Sequence, residues 1–337
     1  MDDSVVARSF LGKILSGYDD MEVVAKVANI ISALDYLRGN KVDFVLLDNE
    51  MPGKTGIEAL PELIALAQGA YIVMLSGNCS EGSEAAVRAL ALGASDVITK
   101  PSAHDYNKDF SEGLIRRLTR LKLPQNILSS SEITPVARPV RPQFRMTCLG
   151  LGSSTGGIHA LGEFFSGIKQ PLGVPILITQ HLPASFIPYF AKQLERMTAM
   201  PVHIGAEGMR LMPDMIYVAP GENNMLCRRR GRDIVEITLS NTIVDLQPMP
   251  AVDPMLQAMA ECYGSGAAAA ILTGMGRDGT IGAQQIVHVG GIVIAQDEAS
   301  SVVWGMPGSI ARAGLASALL PAHQMCGFLK QYTRVSL

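Results

Sequence analysis

A run of glycines between an apolar stretch and an amphipathic one constrains this chain more than any other feature. It reads Gly150-Leu151-Gly152-Ser153-Ser154-Thr155-Gly156-Gly157. The apolar residues Met146–Leu151 lead into it, and Ile158, Leu161, Phe164, Phe165 and Ile168 recur on one helical face after it. Strand, tight turn and helix in that order present a side chain or ligand at the carboxyl end of a sheet. Two chemistries use such a turn. A dinucleotide site needs G-x-G-x-x-G and an acid about 20 residues further on, to hold a ribose. Here Thr155 stands where the third glycine belongs, and the next apolar run, Val174–Thr179, ends in Gln180 and His181. The same residues satisfy G-x-S-x-G as Gly152 to Gly156, a nucleophile elbow that exposes the hydroxyl of Ser154. The helix that follows offers unpaired N–H groups and a partial positive charge to an oxyanion. Serines at such a turn also serve as plain helix caps. On this stretch alone both readings stand.

The chain of 337 residues has room for two domains with cores of their own. A net charge of −3 implies no bulk attraction to nucleic acid or to an anionic membrane. No apolar run is long enough to insert into a bilayer, and the acidic start, Met1-Asp2-Asp3-Ser4, is unlike a secretory signal. Cysteines 79, 148, 227, 262 and 326 are scattered and never form C-x-x-C pairs. That pattern predicts a protein of the reducing cytoplasm, with neither a disulfide framework nor a zinc site.

Residues 1–122 alternate strand and helix from Met21 onward, which predicts a doubly wound parallel sheet. The strands read as Val23–Ala28, Phe44–Leu47, Tyr71–Leu75 and Val97–Thr99, with helical faces at 30–38, 56–67, 80–92 and 109–121. Polar residues gather at the strand ends: Asp48, Ser76, then Lys100-Pro101. Asp2 and Asp3 can join Asp48 there as a Mg²⁺ site, because that ion favours a few carboxylates plus waters. Asp2-Asp3-Ser4, Leu46 to Gly53, Ser76 and Lys100-Pro101 together resemble the response-regulator receiver domain, of flavodoxin-like fold. The resemblance implies that Asp48 is the phosphoacceptor, that Asp2 and Asp3 help hold Mg²⁺, and that Ser76 and Lys100 contact the phosphoryl group. Val97 stands where the family often has an aromatic rotamer switch, so switching is expected through loop and helix shifts instead. In the family the acidic pair ends a central first strand, whereas only Met1 precedes Asp2 here. That strand therefore reads as truncated, and a true start upstream is expected. Left as it stands, the gap would cost about 1–3 kcal/mol for each buried backbone group without a partner.

Residues 123–145 hold Pro124, Pro135, Pro139, Pro142 and Ser129–Ser131 with no apolar period, the composition of a linker. Extended, it would reach about 60–70 Å. The second domain, 146–330, alternates again, and 331–337 reads as a tail. Val174–Thr179, Ala268–Leu272 and Ile292–Ala295 read as buried strands and Phe186–Met197 as an amphipathic helix. Met215–Val218 and the flanks of Arg228–Arg232 read as an inserted hairpin with a solvated arginine tip.

If Ser154 is a nucleophile, it needs a base and an acid to orient it. His104 lies in the other domain, His159 on the outer face of the helix, His203 and His288 within elements, and His323 near the terminus. His181 directly follows an apolar strand and so emerges at the same sheet edge as the turn. Asp278, in Gly274-Met275-Gly276-Arg277-Asp278-Gly279, likewise stands between a buried strand and a helix. The chain order Ser, His, Asp differs from that of an α/β-hydrolase.

Gly152 to Gly157, Gln180 to Pro183, Leu272 to Gly279, Ala295 to Glu298 and Gly305 to Pro307 resemble the catalytic domain of the chemotaxis receptor methylesterase and glutamine deamidase, CheB. With the receiver and linker, the likeness spans nearly the whole chain. It implies Ser154 as nucleophile, with Ser153 its neighbour only, His181 as base and Asp278 as orienter. Asp297 and Glu298 read as rim residues. Backbone N–H groups of Thr155, Gly156 and Met275 are candidate oxyanion donors. Expected substrates are methyl-accepting chemotaxis receptors, and the expected phosphodonor is the chemotaxis histidine kinase. Hydrolysis needs no cofactor, and receiver phosphorylation needs Mg²⁺. The unphosphorylated receiver is expected to cover the cleft. The rivals are a phosphorylation-controlled scaffold without hydrolase activity and a nucleotide-binding redox domain.

Overall fold

The computed structural model describes residues 1–337 except 77–79, 101–107, 123–137, 169–170, 199, 232–233, 243–247 and 334–337. The chain divides into two compact units, Met1–Pro124 and Gln125–Leu337. Pro101, Cys79, His104, Arg232 and most of the Pro/Ser-rich stretch lie outside the described residues.

The first unit runs α1 (Val5–Leu15), α2 (Ile30–Gly39), β1 (Phe44–Asp48), α3 (Gly56–Leu66), β2 (Tyr71–Ser76), α4 (Ser80–Ala91), β3 (Asp96–Thr99) and α5 (Lys108–Lys122). Caps set the helix starts. Ser4 accepts from Ala7 N–H at α1, Asn29 from Ser32 N–H at α2, and Thr55 with Glu58 forms a reciprocal capping box at α3. The three strands are parallel in the order β1-β2-β3. Central β2 reads as an unbroken apolar run because both its faces are covered.

Two readings of this unit need correction. Val23–Ala28 forms no strand, and the helix α1 precedes it where the sequence pattern suggests no element. The reason lies between Val27 and β1. Met1 and Asp2 bridge that space: the Met1 ammonium donates to Leu46 C=O at 2.9 Å, and the Met1 carbonyl accepts from Asp48 N–H at 3.1 Å. Asp2 N–H then donates to Val27 C=O at 3.3 Å. One residue of ladder cannot hold the whole of Val23–Ala28 in a sheet. A cavity of about 520 Å³ follows, lined among others by Leu11, Leu15, Val23, Val27, Leu37 and Val45.

The second unit continues with β4 (Cys148–Ser153), α6 (Gly157–Ser166), β5 (Ile176–Gln180), α7 (Ile187–Thr198), β6 (Val202–Ile204), β7 (Ile216–Val218), β8 (Asn224–Arg230) and β9 (Ile234–Ser240). It closes with α8 (Val252–Tyr263), β10 (Ala267–Ile271), α9 (Thr280–His288), β11 (Ile292–Gln296), α10 (Met306–Arg312), β12 (Ala318–Leu320) and α11 (Ala322–Lys330). Seven parallel strands form one sheet in the order β12-β11-β10-β4-β5-β7-β6. The chain moves outward from β4 on one side and returns to β10 on the other. The edge shared by β4, β5 and β10 is therefore the switch point at which α/β sheets bind ligands.

Ile216–Val218 belongs to this main sheet, paired parallel with β5 and β6, and is not part of a hairpin. The hairpin is β8 with β9 alone, and Arg228–Arg230 lie on its strand, with Gly231 at the turn. Arg230 pairs with Glu236 at 3.1 Å. At the ends of the unit, Arg138 N–H donates to Ala316 C=O at 2.8 Å, and the Tyr332 ring packs edge-on against Phe144.

Candidate active site

The glycines before the turn have a packing role. A Cβ on Gly150 would lie 2.7 Å from Met259 Sδ, and one on Gly152 would lie 2.6 Å from Val252 Cγ1. They let α8 press against β4. The left-handed residue of the turn is Gly156, at φ 76°, and Ser154 itself has no positive φ. A side chain at 156 would be strained, and its Cβ would meet Val302 at 2.6 Å. The turn is thus built differently from the strained serine of an α/β-hydrolase elbow.

Register brings the predicted residues together. Ser153 faces Gln180 across β4 and β5, and Gly152 faces Ile271 across β4 and β10. Ser154 and His181 are therefore the next residues on adjacent strands. Their backbones are pinned there: His181 N–H donates to Ser153 C=O at 3.1 Å, and Ser154 N–H to Thr273 C=O at 3.1 Å. His181 Nε2 lies 2.8 Å from Asp278 Oδ2, with both side chains largely buried. Nδ1 is left to handle a proton. No hydrogen bond joins Ser154 Oγ to the His181 ring among the described residues. Such contacts tighten when substrate is bound.

Asp278 is held by more than histidine. Oδ2 also accepts from Val252 N–H at 2.7 Å, and Oδ1 from Asp253 N–H at 3.0 Å and Gly279 N–H at 2.9 Å. The N-terminus of α8 thus points its free N–H groups and dipole at this carboxylate. Burial alone would raise the Asp278 pKa, but His181 and these N–H groups outweigh it and hold the value below the ordinary one.

The remaining described histidines stand apart from this edge. His159 lies beside Glu163 on α6, His203 packs against the Tyr217 ring, and His288 and His323 are exposed. The N–H groups of Thr155, Gly156 and Met275 make no hydrogen bond among the described residues, as an oxyanion donor requires. Asp297 accepts from Ser300 and lies in the turn after β11.

Two supporting features have no clear signal in the sequence. Gln180 accepts the Ser153 hydroxyl at 2.6 Å and donates to Ser154 C=O at 2.8 Å, so one buried amide clamps both serines. The other is helix α8, although Val252, Met255, Leu256 and Met259 carry a helical period behind Asp253. Replacing Gln180 by alanine leaves both partners unsatisfied and frees the turn. Acylation of Ser154 by a fluorophosphonate is expected to slow about 10²-fold, since misplacement near 1 Å costs that much. Labelling kinetics beside a thermal midpoint check this.

In the first unit, Asp48 and Ser76 end β1 and β2, and Lys100 directly follows β3 on the same edge. Lys100 Nζ lies 2.6 Å from Asp48 Oδ2 and 2.8 Å from Asp2 Oδ2, so one ammonium is shared by two buried carboxylates. Burial raises the Asp48 pKa, with Asp2 adding to the shift and Lys100 opposing it. Lys100 is itself raised: burial pulls it down, but the two carboxylates outweigh that. Asp2 is fully buried and Asp3 exposed, and oxygens of Asp2, Asp3 and Asp48 lie within 4.8 Å of one another. This donor set fits a hard divalent cation.

Comparison with known proteins accords with both units. Residues 149–329 match the family model for CheB methylesterase, and residues 1–107 that for the response regulator receiver domain. A protein-glutamate methylesterase/protein-glutamine glutaminase of Paramagnetospirillum magneticum is 37% identical over 360 residues, covering 98% of this chain and 94% of that one. One from Caulobacter vibrioides is 37% identical over 346 residues, covering 99% and 98%. The crystal structure of the Thermotoga maritima CheB methylesterase catalytic domain is 34% identical with a TM-score of 0.53, over 55% of this chain and 98% of that one. In the second unit a serine turn, a histidine and a buried aspartate meet at one sheet edge, and the first unit carries an acidic strand-end cluster. The chain belongs to the CheB methylesterase family and carries a response regulator receiver domain ahead of its catalytic unit.

Proposed function

We propose that this protein is a phosphorylation-regulated protein-glutamate methylesterase and protein-glutamine glutaminase, with Ser154, His181 and Asp278 as its catalytic set. The observation that carries the reading is the 2.8 Å contact of His181 with an ionised, four-fold hydrogen-bonded Asp278, on the strand next to Ser154. Ser154 Oγ attacks the γ-carbonyl of a glutamyl methyl ester on a chemotaxis receptor. His181 takes the hydroxyl proton and returns it to the departing methanol. The N–H groups of Thr155, Gly156 and Met275 are the donors in place for the oxyanion. Water activated by His181 then cleaves the acyl-enzyme. Glutamine follows the same route with ammonia as leaving group.

Control comes from Asp48, which receives a phosphoryl group from the chemotaxis histidine kinase. Asp2, Asp3 and Asp48 would hold Mg²⁺, which neutralises the negative charge of carboxylates and phosphoryl oxygens. Lys100, whose ammonium lies against Asp2 and Asp48, supplies a fixed positive charge beside them. The protein works in the cytoplasm. Its four described cysteines are free and buried, and among the described residues no helix is long and apolar enough to cross a membrane.

The test uses the full chain with methyl-labelled receptor membranes, Mg²⁺ and a small phosphodonor such as acetyl phosphate. Methanol release is expected to rise at least about fivefold, in the range of allosteric coupling. Asp48→Asn is expected to keep the basal rate and lose the rise. An unresponsive wild type would contradict the regulatory part.

A further inference from the structure

The acid Asp253, in the first turn of α8, is placed oddly for a residue that merely complements a helix dipole. Such acids are solvated, whereas this one is 4% exposed and stands directly beside Asp278. Its backbone N–H donates to Asp278 Oδ1 at 3.0 Å, and its own Oδ1 accepts from Gly282 N–H at 2.8 Å. Gly282 is where α9 crosses α8 so closely that a Cβ would lie 2.6 Å from Leu256 Cβ. Asp253 therefore grips the Asp278 turn at two points. Its backbone holds the Asp278 carboxylate, and its side chain holds the helix that follows.

Two buried carboxylates side by side also couple electrically. Burial raises the Asp253 pKa to about 6; the Gly282 and Ile281 N–H groups oppose the rise, and Asp278 adds to it. The β10–α9 turn brings Asp278, and β5 brings His181 behind it. The facing turn of α9 brings backbone N–H groups. At the far end of α8, Cys262 and Tyr263 cluster with the thiols of Cys148 on β4 and Cys227 on β8, and the Arg229 guanidinium donates to Cys262 C=O.

We propose that Asp253 is a positioning residue for the Ser154, His181 and Asp278 set, fixing the turn that carries Asp278 and adding a second negative charge behind His181. The proposal rests on the catalytic reading of those three residues. A negative charge at Asp253 supports the positive charge that develops on the ring as His181 takes the serine proton, and an amide there withdraws that support.

The test is the rate at which a fluorophosphonate labels Ser154 in the full chain, followed against pH for wild type and Asp253→Asn. Asparagine keeps an oxygen for Gly282 and removes the charge. The acid-side midpoint of the labelling rate is expected to move down by about half a pH unit or more, the size of a charge effect at this range. A purely structural role would lower the plateau or the thermal midpoint and leave that pH midpoint in place, and this result overturns the proposal. Should Asp253→Asn not fold, wild-type protein gives a second reading. The Asp253 carboxyl carbon signal should titrate through about pH 6. A carboxyl signal flat across that range overturns the proposal. Wild type labelled at Ser154 with an unmoved midpoint in Asp253→Asn defeats this inference alone. Wild type that never labels defeats it together with the reading beneath it.

Discussion

Replacing Ser154 by alanine is expected to reduce methanol release from methylated receptors by at least about 10³-fold, with the fold and receiver phosphorylation unchanged. Ser154 is half-buried, and none of its neighbours hydrogen-bonds its hydroxyl among the described residues, so the substitution leaves no partner stranded. Ser153→Ala is the informative control. That hydroxyl is fully buried and donates to Gln180 Oε1 at 2.6 Å. Its loss strands a buried acceptor at a cost of about 1–3 kcal/mol of stability. The two adjacent serines should therefore separate cleanly: position 154 governs rate, and position 153 governs the thermal midpoint with a smaller effect on rate. Methanol-release kinetics and thermal unfolding of the pair measure both.

Asp278→Asn should cost about 10⁴-fold in turnover, because an amide cannot hold the imidazole in the working tautomer. Here the same substitution should also destabilise the fold, by about 2–4 kcal/mol. The carboxylate accepts from His181, Val252, Asp253 and Gly279, and an amide nitrogen would turn a donor toward donors. It would also remove the anion from the N-terminus of α8. The pH dependence follows from the lowered Asp278 pKa. A depressed carboxylate contributes stability that is present above its unfolded value of 3.8 and is lost as pH falls through the lower folded value. Asp278→Asn should therefore lose stability at neutral pH and show a flatter acid limb than wild type. Thermal midpoints recorded from neutral pH downward check the sign.

Much of the site was legible because polar residues closing apolar strands mark the ligand edge of an α/β sheet. Ser154 after β4, His181 after β5 and Asp278 beyond β10 all follow from that rule, as do Asp48, Ser76 and Lys100 in the first unit. What escaped was the layer that positions them. Gln180 reads as the last residue of a buried strand, and nothing in its neighbours tells that its amide reaches Ser153 and Ser154. The helix α8 begins at Ala251-Val252-Asp253-Pro254, where Pro250 and Pro254 so close together read more easily as a loop. The glycines Gly150 and Gly152 read as part of a tight turn that exposes a serine, yet what they make room for is α8. Val23–Ala28 has the composition of a strand, but a strand exists only through its neighbours, and among the described residues its link toward β1 is the single bond from Asp2 N–H to Val27 C=O. Ile216–Val218 reads as part of the hairpin because it precedes one, while its hydrogen bonds place it in the parallel sheet.

The most direct measurement is methanol release from methyl-labelled chemotaxis receptor membranes by residues 146–337 alone, with intact folding shown by thermal unfolding. The account predicts release without a phosphodonor, faster than by the unphosphorylated full chain. A folded fragment that labels no serine and releases no methanol would contradict it and favour a scaffold in which the serine turn does no chemistry.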